Sequence, residues 1–362
     1  MLNNSSILLI IDSMGIGGAE KVTLTLAQGF INQGYSVDLI ICDNIIGFDI
    51  PKEINLHILD FQKGLLDYYR YSKKLHLLVE SLEKDNNAKF DLILVHLQKA
   101  VRLMKNFKHK NIYFTIHSNF TQSSLKGKRG LQLYFRKRKL QKIYNGLNII
   151  TVSKGIEKDL LTSIGVRPKS IQTIYNPVDI EYIQKLAKEP NILNNEKDYI
   201  IHVGRFSKVK RHDILLRSFK KANLNVKLVL VGDGEEKDNI VHLISELGLA
   251  HRVILTGFLQ NPYPLIQDAK ILVLSSEYEG FGNVIVESIV LKTVAISTNC
   301  KSGPNEILTG DFQQFLTPVN DIETLSSMMK FVEKDTHDLN FNMIKKFSLD
   351  TIINKYLGLI YV

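Results

Sequence analysis

Glu279-Gly-Phe-Gly-Asn-Val-Ile-Val-Glu287 sets two carboxylates eight positions apart, with glycines at 280 and 282 just after the first. An apolar run, Ile271-Leu-Val-Leu274, precedes it and Glu287-Ser-Ile-Val-Leu291 follows, so the segment reads as strand, glycine loop and the first turns of a helix. In an open α/β sheet, ligands sit outside the carboxyl ends of the strands, where helix amino termini turn their positive dipole ends toward anions. Glu279 falls on the loop and Glu287 about two turns into the helix. A glycine loop lets backbone approach a ligand, and two flanking carboxylates can accept hydrogen bonds from sugar hydroxyls. The competing reading is a solvated loop glutamate and a helix glutamate on an exposed face.

Working outward, the chain of 362 residues is too long for one core and predicts two domains. Hydrophobic content of 44% and charged content of 23% are those of a soluble globular protein. Cys42 and Cys300 are the only cysteines, which excludes a disulfide framework and fits a reducing cytoplasm. Ser5-Ser-Ile-Leu-Leu-Ile-Ile11 lacks the basic flank and cleavage site of a leader and reads as a first strand. No apolar run approaches the roughly 20 residues of a membrane span.

The net charge of +9 is uneven: residues 1–180 hold 25 Lys and Arg against 15 Asp and Glu, and the remainder is nearly balanced. Between Asp91 and Glu157 there are 14 basic residues and no acidic one. Such a one-sided field attracts nucleic acid, an anionic membrane face or an anionic substrate.

After Ile7–Ile11 the chain reads Asp12 and then Ser13-Met-Gly-Ile-Gly-Gly-Ala-Glu20, a glycine loop before a helical pattern through Val22, Leu26 and Phe30. A second strand, within Gly34–Asp43, completes a unit like a dinucleotide fingerprint, but Glu20 stands where the third glycine belongs and would compete with a pyrophosphate. Strands are expected at Leu56–Leu59, Phe90–Leu97, Asn111–His117 and Thr151–Ser153, with helices at Leu65–Leu82 and Gly155–Ser163. This alternation predicts a doubly wound parallel sheet.

Tyr175-Asn-Pro-Val-Asp179 and the polar stretch from Glu189 to Asp198 mark a boundary. Residues 1–178 then form one domain and 179–348 a second, with a helix over about 349–362 packing back on the first. In the second half, strands at Tyr199–Val203, Lys227–Val231, Val253–Thr256 and Ile271–Leu274 alternate with helices at His212–Lys221 and Glu236–Leu247. Ile322–Lys334 is a further helix. The fold class is α/β, with two Rossmann-like domains facing a central cleft.

Four loops of the second half leave carboxyl ends of strands: Gly204-Arg-Phe-Ser-Lys-Val-Lys210, Gly232-Asp-Gly234, Gly257-Phe258 and Glu279–Glu287. They would converge on one crevice, where Arg205, Lys210 and a helix amino terminus suit a diphosphate and a carboxylate suits a ribose diol.

With Gly17-Gly-Ala-Glu20, Asn176-Pro-Val-Asp179, Gly204-Arg205 with Lys210, Gly232-Asp-Gly234 and the paired glutamates in this order, the chain resembles glycosyltransferase family 4, retaining enzymes of the GT-B fold. Thr298-Asn-Cys-Lys-Ser-Gly-Pro-Asn-Glu-Ile307 is similar to a stretch of bacterial members that use UDP-hexoses or UDP-N-acetylhexosamines. The resemblance departs after Ile307, where a glycine-rich turn is replaced by Gly310-Asp-Phe-Gln-Gln-Phe-Leu316.

The resemblance implies that Arg205 and Lys210 hold the donor diphosphate, that Glu287 binds the ribose and that Glu279 binds a sugar hydroxyl. Phe281, Gly282 and Asn283 bring backbone amides near the donor, and Gly204, Asp233 and Phe258 complete its pocket. Gly17 and Gly18 would let the first domain approach the diphosphate, and His117 matches a histidine near the donor sugar. The alternative for His117 is a strand-end histidine satisfied by backbone. The family points to front-face transfer, with Glu279 as a binder and not a nucleophile, in contrast to a two-carboxylate hydrolase. Arg and Lys supply the charge that stabilises departing UDP, and with no Asp-x-Asp pair in the chain no metal or other cofactor is expected.

Within the basic interval, Leu131–Lys142 predicts a helix whose Leu131, Phe135, Arg138 and Lys142 share one face and whose Leu133, Leu140 and Tyr144 share the other. The first face is assigned to an anionic membrane surface, with Arg136, Arg138, Lys139 and Lys142 on a polyprenyl-diphosphate-linked glycan acceptor, as the resemblance to polymerising members implies. A solvated basic helix with no ligand is the alternative. The expected enzyme is a cytoplasmic transferase, peripheral at the inner face of the membrane. Nucleic acid is excluded as a partner, since no RNA- or DNA-binding module accompanies the charge. A UDP-sugar epimerase of GT-B fold is the closest rival.

Overall fold

The computed structural model describes residues 5–62, 67–193, 198–334 and 339–361. The chain forms two compact units, one running to Pro177 and resuming at Phe347, the other spanning Val178–Lys346.

The first unit is built on seven strands: β1 (Ser6–Ile11), β2 (Ser36–Ile41), β3 (Ile54–Ile58), β4 (Leu92–His96), β5 (Ile112–Ile116), β6 (Asn148–Thr151) and β7 (Ser170–Thr173). Their order is β3-β2-β1-β4-β5-β6-β7 and every pairing is parallel. Ile7, Leu8, Leu9, Ile10 and Ile11 are all fully buried, which is why β1 reads as an unbroken apolar run: both faces of a central parallel strand are covered.

The helix Gly18–Asn32 turns Val22, Leu26 and Phe30 into the same core as Leu349, Ile352, Ile353 and Tyr356 of the helix Leu349–Leu357. Gly29 makes that approach close, because a Cβ there would lie 2.5 Å from Ile353 Cγ1. Burying Ile352, Ile353 and Tyr356 stabilises this unit by about 1.5–3 kcal/mol per side chain.

The second unit has β8 (Ile200–Val203), β9 (Leu228–Val231), β10 (Val253–Gly257), β11 (Ile271–Leu274), β12 (Val294–Thr298) and β13 (Leu316–Thr317). The order is β10-β9-β8-β11-β12-β13, again parallel throughout. The helix His212–Ala222 lays Leu215, Leu216 and Phe219 inward, and Ile322–Lys334 packs beside it.

Several elements differ from the sequence reading. β7 is an edge strand of sequence Ser-Ile-Gln-Thr, too polar to stand out, and β12 follows the helix Asn283–Val290 after a turn of three residues. β6 begins at Asn148, ahead of the expected Thr151. The helix expected at Gly155–Ser163 starts at Lys154 and widens into a π-helical turn over Asp159–Ile164. The start expected at Leu65 lies outside the described residues, as does part of the polar stretch ending at Asp198; the former helix is described over Asp67–Asp85.

Candidate active site

In the second unit the four motif loops leave β10, β9, β8 and β11, which are consecutive in the sheet. Because all four strands run parallel, Phe258, Asp233, Gly204 and Glu279 emerge along one carboxyl edge.

At the middle of that edge, Lys210 Nζ donates to Glu279 Oε1 at 2.6 Å, with the two side chains 19% and 12% exposed. The Ser276 hydroxyl donates to the same carboxylate oxygen at 2.6 Å. Backbone ties hold the two loops: Glu277 N donates to Val209 O, and the Ser275 hydroxyl donates to the Lys210 carbonyl at 2.7 Å. Gly204 lies against this pair, since a Cβ there would sit 3.3 Å from Lys210 Cε. The pair thus sets a cation against a carboxylate in a region of reduced water, held in place by bonds from both loops.

Ser302 locks the loop from the far side by donating to the Glu279 carbonyl at 2.8 Å. Next to it Gly303 has φ +92°, and a Cβ would fall 1.9 Å from the Phe281 carbonyl oxygen. The Cys-x-x-Gly-Pro stretch therefore serves as a buttress beneath the glycine loop. The helix Asn283–Val290 starts directly after Gly282, and Phe281 and Glu287 are buried at its base and along its side.

Arg205 stands apart from Lys210, reaching outward to Glu235 at 3.0 Å with its side chain 70% exposed. Asp233 also faces solvent: it accepts from Gly234 N at 2.7 Å and from Lys237 Nζ at 3.2 Å, and the backbone bond chiefly holds its carboxyl below the usual range. Phe258 is partly exposed beyond the edge strand β10.

A buried imidazole pair lies beneath Lys210. His202, whose Nδ1 donates to the Val273 carbonyl at 2.8 Å, meets His212 with ring centroids 4.7 Å apart. Burial pushes His202 down to about 4 and His212 down to about 2, so both are neutral at pH 7. The sequence reading passed over both, as it did Ser276 and Ser302; the recurrence of polar residues at strand ends was the available signal.

On the carboxyl edge of the first sheet, His117 Nε2 lies 3.0 Å from Nδ1 of the buried His96. Burial pushes His117 down to about 4 and, with His117 beside it, holds His96 well below the ordinary range. One ring donates and the other accepts. Nearby, Asp12 accepts from Lys99 N at 3.1 Å and Ala100 N at 2.7 Å, capping the helix Gln98–Met104, and Lys99 pairs with Asp43. Gly17 and Gly18 open the Gly18–Asn32 helix, and the Glu20 carboxylate folds back over Gly17, 2.3 Å from where its Cβ would be.

The basic segment is a helix over Gly130–Tyr144. Leu140, Ile143 and Tyr144 face inward, while Leu131 and Phe135 are 75% and 64% exposed. Arg136, Arg138, Lys139 and Lys142 are also exposed, and Arg138 rests over the Tyr134 ring, donating to its hydroxyl at 3.1 Å. Among the described residues no helix is long and apolar enough to cross a membrane, and no group of three or more His, Cys, Asp or Glu side chains is placed to hold a metal ion.

Two parallel Rossmann-like sheets with glycine loops on their carboxyl edges define the GT-B class, and solved structures agree over nearly the whole length. Anabaena HepE in complex with UDP and glucose superposes with a TM-score of 0.77, at 20% identity over 97% of this chain and 98% of that one. The lipopolysaccharide outer core galactosyltransferase WaaB gives 0.68, at 20% identity over 98% and 99%.

Residues 16–182 match Glycosyltransferase Family 4, and residues 184–347 match Glycosyl transferases group 1. The N-acetylgalactosamine-N,N'-diacetylbacillosaminyl-diphospho-undecaprenol 4-alpha-N-acetylgalactosaminyltransferase of Campylobacter jejuni is 30% identical over 90% of each chain. The poly(ribitol-phosphate) alpha-N-acetylglucosaminyltransferase of Staphylococcus aureus is 26% identical over 82% of this chain and 60% of its own. The protein belongs to glycosyltransferase family 4.

Proposed function

We propose that the protein transfers a hexose or N-acetylhexosamine, with retention, from a UDP-sugar to a polyprenyl-diphosphate-linked glycan at the inner face of the cytoplasmic membrane. The Lys210–Glu279 pair on the carboxyl edge carries the reading, because it offers a cation for the departing diphosphate and a carboxylate for a sugar hydroxyl within one hydrogen bond of each other. Arg205 supplies a second cation; releasing the exposed Glu235 costs little, since solvent screens that pair. Glu287 takes the ribose hydroxyls, and Phe281, Gly282 and Asn283 bring the helix start to the donor. Gly204, Asp233 and Phe258 frame the nucleotide, and neutral His117 offers a hydrogen bond to a sugar hydroxyl.

As UDP leaves, positive charge grows on the anomeric carbon and negative charge on the β-phosphate. Fixed cations stabilise that separation without reorganising, and the acceptor hydroxyl attacks on the face that the diphosphate vacates. Glu279, its Oε1 held by Lys210 and Ser276, is assigned as a binder of the sugar and not as a nucleophile.

The donor reading is supported by UDP and glucose in the Anabaena structure, and the acceptor reading by the diphospho-undecaprenol glycan named for the Campylobacter enzyme. The test is UDP release from UDP-glucose, UDP-galactose and their N-acetylamino forms, with and without short polyprenyl-diphosphate glycans. Release that requires acceptor, gives an α-linked product and persists in EDTA is expected. Epimerised donor or acceptor-independent release would favour the epimerase, and no turnover with any pair would overturn the reading.

A further inference from the structure

The first sheet carries a second concavity on its other edge. It is a cavity of about 470 Å3 at the amino-terminal ends of β5, β6 and β7, bounded by Ile112, Asn148 and Lys169. His96 and His117 lie at the carboxyl ends of β4 and β5, so in this parallel sheet the cavity is separated from them by the length of a strand, about 16 Å.

Four lysines line this cavity: Lys105, Lys108, Lys110 and Lys169. None has a carboxylate at ion-pair distance among the described residues; Lys105 Nζ donates only to the Lys142 carbonyl, at 3.4 Å. Two acids lie near His109 on the cavity wall, and both are engaged: buried Glu83 by Lys89 at 2.6 Å and by His109 at 3.4 Å, and Asp91 by Ser6 N at 2.9 Å. Phe107 and Leu147 supply an apolar wall. Scattered surface lysines are ordinary, but four sharing one concavity, none ion-paired among the described residues, focus a positive potential where an anion can be held. The size lies within the roughly 300–1,000 Å3 of small-molecule sites.

We propose that this cavity is a second binding site, distinct from the carboxyl-edge site, for a phosphate-bearing anion whose phosphoryl oxygens are held by Lys105, Lys108, Lys110 and Lys169 and whose neighbouring apolar part rests on Phe107 and Leu147. The ammonium groups act as flexible point charges, which suits a phosphate or diphosphate better than a planar carboxylate. The ligand is either a soluble phosphorylated compound or the headgroup of an anionic phospholipid. The site does not depend on the transferase reading.

The test compares the full-length protein with the variant K108Q/K110Q/K169Q and with K52Q/K73Q/K355Q, which removes the same charge from exposed positions elsewhere in the first unit. Pyrophosphate is titrated calorimetrically in saturating UDP, and flotation is measured on phosphatidylglycerol–phosphatidylcholine vesicles against phosphatidylcholine alone. Wild type and the charge-matched control should bind at least one probe, with affinity at least tenfold above that of the cavity variant. Pyrophosphate binding identifies a soluble ligand; binding to phosphatidylglycerol vesicles alone identifies a headgroup. Equal binding by all three proteins, or binding of neither probe by wild type, overturns the proposal. The replaced lysines are exposed, and melting curves for the two variants should coincide.

Discussion

Lys210 Nζ stands 2.6 Å from Glu279 Oε1, joining the loop after β8 to the loop after β11 across two adjacent strands of the second sheet. Removing one member of so buried a pair leaves the other charge uncompensated. Lys210→Met should lower stability by about 3 kcal/mol, and K210M/E279Q should recover much of that loss in urea titrations. Turnover should fall at least ~100-fold in both, because both lack the Lys210 cation proposed to stabilise the leaving diphosphate beside Arg205.

The two glutamates should separate by kinetic effect. Glu287→Gln is expected to weaken binding of free UDP about tenfold, as loss of a charged hydrogen bond of roughly 1.5 kcal/mol implies. Glu279→Gln should leave UDP affinity within about twofold while turnover drops, as the proposed role of a sugar contact, not a nucleotide contact, requires. Equal effects on UDP binding would contradict this division.

At Gly303, alanine would bring both an unfavourable positive φ and a contact of 1.9 Å with the Phe281 carbonyl. The cost is expected to reach about 1–3 kcal/mol, with the glycine loop displaced. Donor affinity should therefore fall along with the melting temperature. Gly310→Ala is the comparison: it also has positive φ, but its Cβ would meet nothing within 4 Å.

Acid should destabilise the protein before its carboxylates titrate. His117 and His202 are held down to about 4 and His212 to about 2 by burial, so between about pH 6.5 and 4 the unfolded chain binds protons that the folded chain does not. Stability from these groups is full above pH 6.5 and is lost as pH falls, by up to about 1.4 kcal/mol per unit for each histidine. Asp12 and Glu20, raised by burial, oppose this, because the folded chain takes up their protons at higher pH than the unfolded chain does. Denaturant midpoints at pH 7.5 and 5.0 test it, and His212→Gln should flatten the profile.

Arg138 and Lys142 project from the Gly130–Tyr144 helix beside exposed Leu131 and Phe135. R138Q/K142Q should raise the KM for lipid-linked acceptor several-fold and reduce retention on anionic vesicles, without changing UDP affinity. Unchanged acceptor KM would remove this helix from the acceptor site.

How far the sequence was legible follows from what each residue type can do alone. Ile271–Leu274 and Ile322–Lys334 were readable to the residue, because an apolar run or helical period reflects burial directly. β7 was not, since Ser-Ile-Gln-Thr at a sheet edge needs no apolar run. The loops bearing Lys210 and Glu279 were visible as motifs, but their direct contact depends on β8 and β11 being neighbours, which pairing and not local pattern decides. Arg205 carries the same charge as Lys210 and sits five residues away, yet only tertiary placement turns one inward and the other toward Glu235. Gly303 reads as a turn residue, and its role as a buttress appears only once Phe281 lies against it.

The helix Leu349–Leu357 adds something of a different kind. Its Leu349, Ile352, Ile353 and Tyr356, with Leu359 just beyond, lie in a core whose other buried members precede Pro177, while Val178–Lys346 forms its own unit in between. During synthesis the second unit is therefore complete in the emerging chain before the first, although the first is encoded earlier. The sheet of β1 must wait, with part of its apolar face uncovered, until the helix Leu349–Leu357 has left the ribosome. A stop just before Leu349 would consequently strike the domain formed by the beginning of the chain.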